Sequence, residues 1–175
     1  AYACPPLDNG HAQPKAFFIL YIMKNRPNTS YTETPIRVAI LIDGGYFIKR
    51  YNAMYNKSGN KTASTIANDL YTISHSHVGK NNYLYRIFYY DCVPFSKKVH
   101  NPISNKCIDF SKTEEALYRN ELINELKKKR KLALRLGHIK ESKRWMFYDN
   151  AMKKLLKKEI SLDDIQDTDV YYELR

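Results

Sequence analysis

The pattern of apolar and polar positions along the chain predicts alternating strands and helices. Residues 36–42 (IRVAILI) form an almost continuous aliphatic run, which is typical of a strand buried on both faces of a parallel sheet. Residues 83–90 (YLYRIFYY) are rich in aromatic residues and predict a second strand, which Pro94 prevents from continuing. Residues 132–136 and 145–148 predict two further strands.

Apolar residues recur at helical spacing between these strands, as Leu122 and Leu126 illustrate. The predicted helices cover residues 46–55, 62–77, 111–131, 150–159 and 161–175. Ser111 begins an S-x-x-E pattern with the spacing of a capping box. Loops are expected at residues 57–61 and 95–110. Because strands and helices alternate, the predicted fold class is α/β with a mainly parallel sheet.

The first 35 residues are expected to lie outside this domain. Residues 1–15 contain three prolines and little apolar periodicity. Residues 16–23 are apolar, but this run is far shorter than the ~20 residues of a membrane span. A signal peptide is disfavoured because few positive charges precede the apolar run and no small-residue cleavage site follows it. We therefore expect a non-domain or disordered segment at residues 1–35 and a domain at residues 36–175.

Composition narrows the class of protein. Apolar residues make up 43% of the chain and charged residues 27%, which excludes wholesale disorder. The three cysteines, Cys4, Cys92 and Cys107, are widely spaced and form no CxxC or zinc-finger pattern. Neither a disulfide framework nor a structural metal is indicated, and a reducing cytoplasm is the simplest location.

Positive charge is concentrated in one block of the chain. The net charge is +11, and residues 127–158 contain 13 basic and 2 acidic side chains. Such a block is typical either of a surface that binds a polyanion, with RNA as the first candidate, or of a solvated helix face. Trp145 and Phe147 within it either stack on unpaired bases or face the core. The residues predicted to contact phosphates are Lys127, Lys128, Lys129, Arg130, Lys131, Lys143 and Arg144.

The residues that follow the first strand carry the most chemical information. Asp43 lies at the carboxyl end of that strand, where α/β sheets bind their ligands. Gly44 and Gly45 permit a tight turn and let a phosphate or metal approach the backbone. An aspartate here either binds Mg²⁺ or Mn²⁺, which activates water against a phosphodiester, or caps the next helix. Neither GxGxxG nor a Walker loop is present, which disfavours a nucleotide cofactor.

Other acidic residues are candidate metal ligands with structural alternatives. Asp91 follows the second strand and would project from the same sheet edge as Asp43, or it serves as a turn residue before Pro94. An acidic run at residues 163–169 is best explained as a solvated helix start that the helix dipole favours, with metal binding as the alternative.

Residues 37–52 (RVAILIDGGYFIKRYN) resemble the opening strand and turn of the NYN domain, LabA-like branch, in the PIN-like nuclease superfamily. Collinear blocks at residues 85–91, 134–140 and 160–172 resemble later parts of that branch. The resemblance implies a PIN-like, Rossmann-like three-layer sandwich. It also implies that aspartates at the strand ends bind Mg²⁺ or Mn²⁺ and cleave RNA, with Asp43 as the first of them.

The same resemblance implies further catalytic acids in a Gly-Val-Asp block and a Gly-Asp-Ser-Asp block. Neither block occurs in this sequence, so we expect the fold to continue past Arg175. The leading hypothesis is a metal-dependent ribonuclease domain that acts on RNA phosphodiester bonds. The rival hypothesis is a non-catalytic RNA-binding or protein-interaction module with the same fold.

Overall fold

The computed structural model describes residues 19–23 and 35–174. Its strands and helices follow one another along the chain as β1 (Ile19–Met23), β2 (Arg37–Asp43), α1 (Gly44–Tyr55), α2 (Ala63–Ser76), β3 (Tyr83–Val93), β4 (Lys98–His100), β5 (Cys107–Asp109), α3 (Glu114–Lys127), β6 (Leu132–His138), β7 (Glu141–Phe147), α4 (Asp149–Leu156) and β8 (Val170–Leu174). The predicted mixed α/β class is confirmed.

The main sheet has four strands in the order β1-β2-β3-β6. Strands β2, β3 and β6 are parallel, and β1 pairs with β2 antiparallel. The two crossover connections, from β2 to β3 and from β3 to β6, proceed in the same direction across the sheet. Because such crossovers are right-handed, α1, α2 and α3 lie on one face of it. We call this the helix face and the opposite one the open face.

The core lies between the helix face and the three helices. Ile40 and Ile42 of β2 are fully buried beside their β3 partners Ile87 and Tyr89. Ile66 and Leu70 of α2, and Leu122 and Leu126 of α3, belong to the same cluster, as their helical spacing predicts. Full burial of one such side chain contributes about 1.5–3 kcal/mol. The aliphatic run that predicted β2 is therefore a central element of the fold.

A second, smaller unit packs beside the main sheet. The hairpin of β4 and β5 and the hairpin of β7 and β8 each form a two-stranded antiparallel sheet. Tyr172 of β8 joins them, since its ring lies 5.5 Å from that of Trp145 and 6.1 Å from those of Phe95 and Phe110. Of the two interpretations of Trp145, packing within the protein is the one that these contacts favour.

Three predicted elements differ from the structure. Residues 161–175 do not form a helix: acidic side chains cap two short 3-10 turns, and the β-branched and aromatic residues of β8 pair with β7 instead. The predicted loop at 95–110 contains the β4–β5 hairpin. The third helix begins at Glu114 rather than at Ser111, because the side chain of Thr113 accepts the Ala116 amide hydrogen at 3.3 Å.

The amino-terminal segment also differs from its prediction. Ile19–Met23 pairs with β2 over five residues, so the sheet extends into the segment expected to lie outside the domain. The other residues of that segment before Pro35, including the first three of the apolar run at residues 16–23, lie outside the described residues. Among the residues that the structure describes, no helix has both the length and the apolar character to span a membrane.

Gly44 is required by close packing at the junction of β2 and α1. A Cβ atom at this position would lie 2.5 Å from Cζ of Tyr89, whose ring is fully buried and cannot move aside. We expect Gly44→Ala to lower the free energy of unfolding by about 1–3 kcal/mol, as overpacking does. Urea denaturation of the two proteins measures this difference.

The neighbouring Gly45 supplies a matched control. A Cβ there would meet only Oδ1 of Asp43, at 3.6 Å. Alanine also stabilises a helix interior relative to glycine by about 0.5–1 kcal/mol. Gly45→Ala should therefore be neutral or stabilising. Equal destabilisation by both substitutions would contradict the packing explanation.

Candidate functional site

Asp43 occupies the point where β2 passes directly into α1. Its side chain is exposed, and Oδ1 accepts a hydrogen bond from the Tyr46 backbone N–H at 2.8 Å. Asp43 is therefore the N-cap of α1, which was the structural alternative for this residue. The same position holds a carboxylate at the positive end of a 12-residue helix dipole, open to solvent.

The two glycines of this turn have different roles. Gly44 is buried, and the Tyr89 ring fills the space beside its Cα, so it does not offer open backbone to a ligand. Gly45 is half-buried, and the only atom within 4 Å of a Cβ built there is the Asp43 carboxylate oxygen. Of the two glycines predicted to admit a phosphate, Gly45 has the open space.

Asp91 is engaged by three donors. Its Oδ2 accepts from Nη1 of Arg119 at 2.8 Å and from the Tyr89 hydroxyl at 3.2 Å, and its Oδ1 accepts from the Cys92 amide at 2.8 Å. The ion pair is largely shielded, with 11% of the Asp91 side chain and 21% of the Arg119 side chain exposed. Burial, aided by the nearby Asp91 charge, strongly raises the pKa of Tyr89, so its hydroxyl stays protonated and donates.

The parallel register places both aspartates at the carboxyl edge of the sheet, as predicted. Asp43 pairs with Tyr90 of β3, and Tyr90 pairs in turn with Arg135 of β6. Tyr90 faces the open side of the sheet, whereas Asp91, like Tyr89, faces the helices, because side chains alternate along a strand. The two carboxylates therefore share an edge without converging on one face.

The donor chemistry of this edge suits a hard cation only in part. Mg²⁺ is commonly held by one or two carboxylates together with waters and substrate phosphates, and the exposed Asp43 fits that requirement. Asp91 fits it less well, because Arg119 already neutralises its charge. Within residues 19–23 and 35–174, no group of three or more His, Cys, Asp or Glu side chains could enclose a metal ion.

The basic cluster at residues 127–131 lies at the opposite edge of the sheet. It joins the end of α3 to the start of β6 and therefore lies at the amino ends of the parallel strands. From there the seven residues of β6 extend about 20 Å towards the carboxyl edge. This cluster and Asp43 are thus brought to two separate parts of the surface, which the sequence does not reveal.

Several members of that cluster have partners within the protein. Nζ of Lys128 lies 2.6 Å from the Glu125 carboxylate, and Lys129 donates to the Asn68 side chain. Nζ of Lys131 donates to the Leu84 carbonyl at 2.9 Å. Lys127 and Arg130 are exposed. The basic side chains here therefore help to end α3 and to attach the start of β6, in addition to any contact with a phosphate partner.

Lys143 and Arg144 are exposed on β7, which begins three residues after β6 ends at the carboxyl edge. Lys143 has a positive φ of 56° at an irregularity in the β7–β8 pairing. Of the predicted phosphate-binding side chains, these two are the ones whose strand starts on the same edge as Asp43.

The acidic run at residues 163–169 has structural partners. Asp164 accepts from the backbone and hydroxyl of Ser161, and these bonds lower the pKa of its carboxyl. Nζ of Lys106 lies 3.2 Å from the Asp167 carboxylate and likewise lowers its pKa. These aspartates cap turns, and the structure places none of them beside Asp43 in a metal-ligating group of the described residues.

Sequence reasoning missed Arg119 and Tyr89 at this site. Arg119 is an isolated basic residue in the middle of a mostly polar helix, and its partner is 28 positions away. Tyr89 belongs to an aromatic run that predicts a strand without indicating which ring lies beneath Gly44. No family model, curated protein or solved structure matches the chain.

Proposed function

We propose that this chain belongs to a metal-dependent ribonuclease of the NYN type, with a PIN-like α/β fold. One observation carries the proposal: an exposed aspartate, Asp43, ends a buried parallel strand and begins a helix beside the open backbone of Gly45. The resemblance of residues 37–52 to the NYN opening segment supports it further. Neither support depends on the basic cluster at residues 127–131.

In this proposal Asp43 binds Mg²⁺ or Mn²⁺ through a carboxylate oxygen. When bound, the ion polarises a phosphodiester and lowers the energy needed to deprotonate water. Gly45 leaves room for the phosphate backbone, and Lys143 and Arg144 contact neighbouring phosphates by charge. Further acidic ligands would come from Gly-Val-Asp and Gly-Asp-Ser-Asp blocks in the remainder of a longer polypeptide.

The experiment that tests this function is RNA cleavage under metal control. The natural polypeptide that contains this chain should cleave a labelled single-stranded RNA when Mn²⁺ or Mg²⁺ is added. EDTA should stop the reaction, and renewed Mn²⁺ should restore it, because the chelator removes the ion without touching the protein. Cleavage that continues in EDTA would contradict a metal-dependent mechanism.

The Arg119–Asp91 ion pair favours a second candidate function, RNA binding without cleavage. This pair neutralises Asp91, the second carboxylate at the carboxyl edge of the sheet, and so makes it a poorer metal ligand. A binding module would retain RNA affinity with a steep dependence on salt, since counterions are released from the phosphates, and would show no cleavage at any Mn²⁺ concentration. The metal experiment above separates the two functions.

A further inference from the structure

Strand β3 presents a row of exposed aromatic rings. Tyr83, Tyr85 and Tyr90 are 51%, 50% and 45% exposed, whereas Ile87 and Tyr89 of the same strand are fully buried. Phe88 is half-buried between them. Phe88 and Tyr90 face the open side of the sheet, since the alternating residues Ile87 and Tyr89 face the helices. A bulge at Tyr85 reverses this alternation, so Leu84 faces the helices and Tyr83 faces the open side. We call these four side chains the β3 aromatic row.

Cations lie over two of the four rings of this row. Nζ of Lys131 lies 3.9 Å from the centre of the Tyr83 ring, and the Arg135 guanidinium lies 5.4 Å from that of Phe88. The hydrogen bond and the charge of Lys131, followed by the charges of Arg130 and Arg37, lower the pKa of Tyr83, so three cations lie near this ring.

We infer that the β3 aromatic row binds single-stranded RNA by stacking its bases, and leads the strand from the basic cluster at residues 127–131 to Asp43. This inference rests on the proposed function for its destination, Asp43, and on the described contacts for the binding itself. The row begins at Tyr83, beside Lys131, and ends at Tyr90, the register partner of Asp43.

Single-stranded RNA is the occupant that the chemistry of this row favours. Exposed rings flanked by cations are the two components of surfaces that bind unpaired strands, because rings stack on bases while lysine and arginine track the phosphates. A base-paired A-form helix hides its bases from such a surface. An acidic protein surface would meet the same cations but would not offer a series of flat bases for the rings to stack on.

The length of the row also suits an oligonucleotide. Tyr83 and Tyr90 are seven residues apart on β3, which corresponds to about 23 Å of extended strand. Several successive bases can lie along such a distance. The row therefore extends from the basic cluster at residues 127–131 to the register partner of Asp43, and it gives the remote cluster a role in substrate binding.

The test is RNA affinity, measured in EDTA so that no metal-dependent reaction intervenes. Fluorescence anisotropy with a labelled oligouridylate of about 12 nucleotides, within the usual range of site sizes, measures binding. Tyr90→Ala should weaken it about 5- to 150-fold, the effect of one lost stacking contact of about 1–3 kcal/mol. Tyr90→Phe should bind like the unmodified protein, because the ring remains.

Tyr55→Ala is the matched control, since Tyr55 is 47% exposed on α1, away from the row. It should leave affinity unchanged. Thermal melting of each variant confirms that the fold persists. Unchanged affinity of Tyr90→Ala, equal loss in Tyr90→Phe, or tighter binding of duplex than of single-stranded RNA would each overturn the inference.

The outcomes for this row and for the ribonuclease proposal are distinguishable. A protein that cleaves RNA with Mn²⁺ but binds equally well as Tyr90→Ala would overturn the aromatic row alone. A protein that binds through Tyr90 but never cleaves would support the row and contradict the ribonuclease proposal.

Discussion

Asp43→Asn is expected to reduce Mn²⁺-dependent RNA cleavage by at least about 100-fold. A metal ion contributes several kcal/mol to stabilisation of the transition-state charge, and each ~1.4 kcal/mol is a tenfold change in rate. The amide of asparagine removes the negative charge that holds the ion while keeping the shape of the side chain. Initial rates with labelled RNA, at several Mn²⁺ concentrations, measure the loss.

The choice of asparagine separates catalysis from folding. Asp43 caps α1 through the Tyr46 amide, and asparagine is as good an N-cap as aspartate. The melting temperature should therefore stay close to that of the unmodified protein. Asp43→Ala loses the cap as well, which typically costs about 1 kcal/mol. A variant that is folded, binds RNA and cleaves at an undiminished rate would remove Asp43 from the mechanism.

The spacing of apolar residues along the chain predicted most of the main sheet and its helices. The run at residues 36–42 predicted β2, and Ile40 and Ile42 on the helix face are fully buried, whereas Leu41 on the open face is only half-buried. The position of Asp43 at a strand end also followed from sequence, since the next two glycines end the run. The local sequence pattern is sufficient to predict an element where the buried residues and the turn-forming residues indicate the same strand and the same strand end.

Contacts between distant parts of the chain were not predictable in this way. β8 was predicted as helix because its acidic neighbours suit a helix start, yet pairing with β7 decides its conformation. The position of the basic cluster at residues 127–131 relative to Asp43 was likewise not given by counting charge along the sequence. The parallel crossover places it at the other edge, and that follows from topology rather than from composition.

Arg119→Ala is expected to lower the free energy of unfolding by about 3 kcal/mol. The substitution leaves the Asp91 carboxylate mostly buried with its cation removed, and breaking such a pair commonly costs ~3–5 kcal/mol. We expect the lower end because Arg119 retains some contact with solvent. Urea denaturation measures the change, and Lys128→Ala, which removes an exposed pair with Glu125, should cost no more than about 1 kcal/mol.

The double variant Arg119→Met, Asp91→Asn shows whether an uncompensated charge causes this loss. The Oδ1 atom of asparagine can still accept from the Cys92 amide, and its Nδ2 group can donate to the Tyr89 hydroxyl oxygen. Methionine keeps much of the apolar stem of arginine. The double variant should therefore be more stable than Arg119→Ala, although it has lost the same ion pair. If it is instead less stable, the pair itself holds α3 against β3, and Arg119 is a structural clamp at the carboxyl edge. Recovery of stability would show that Arg119 is needed because Asp91 is charged.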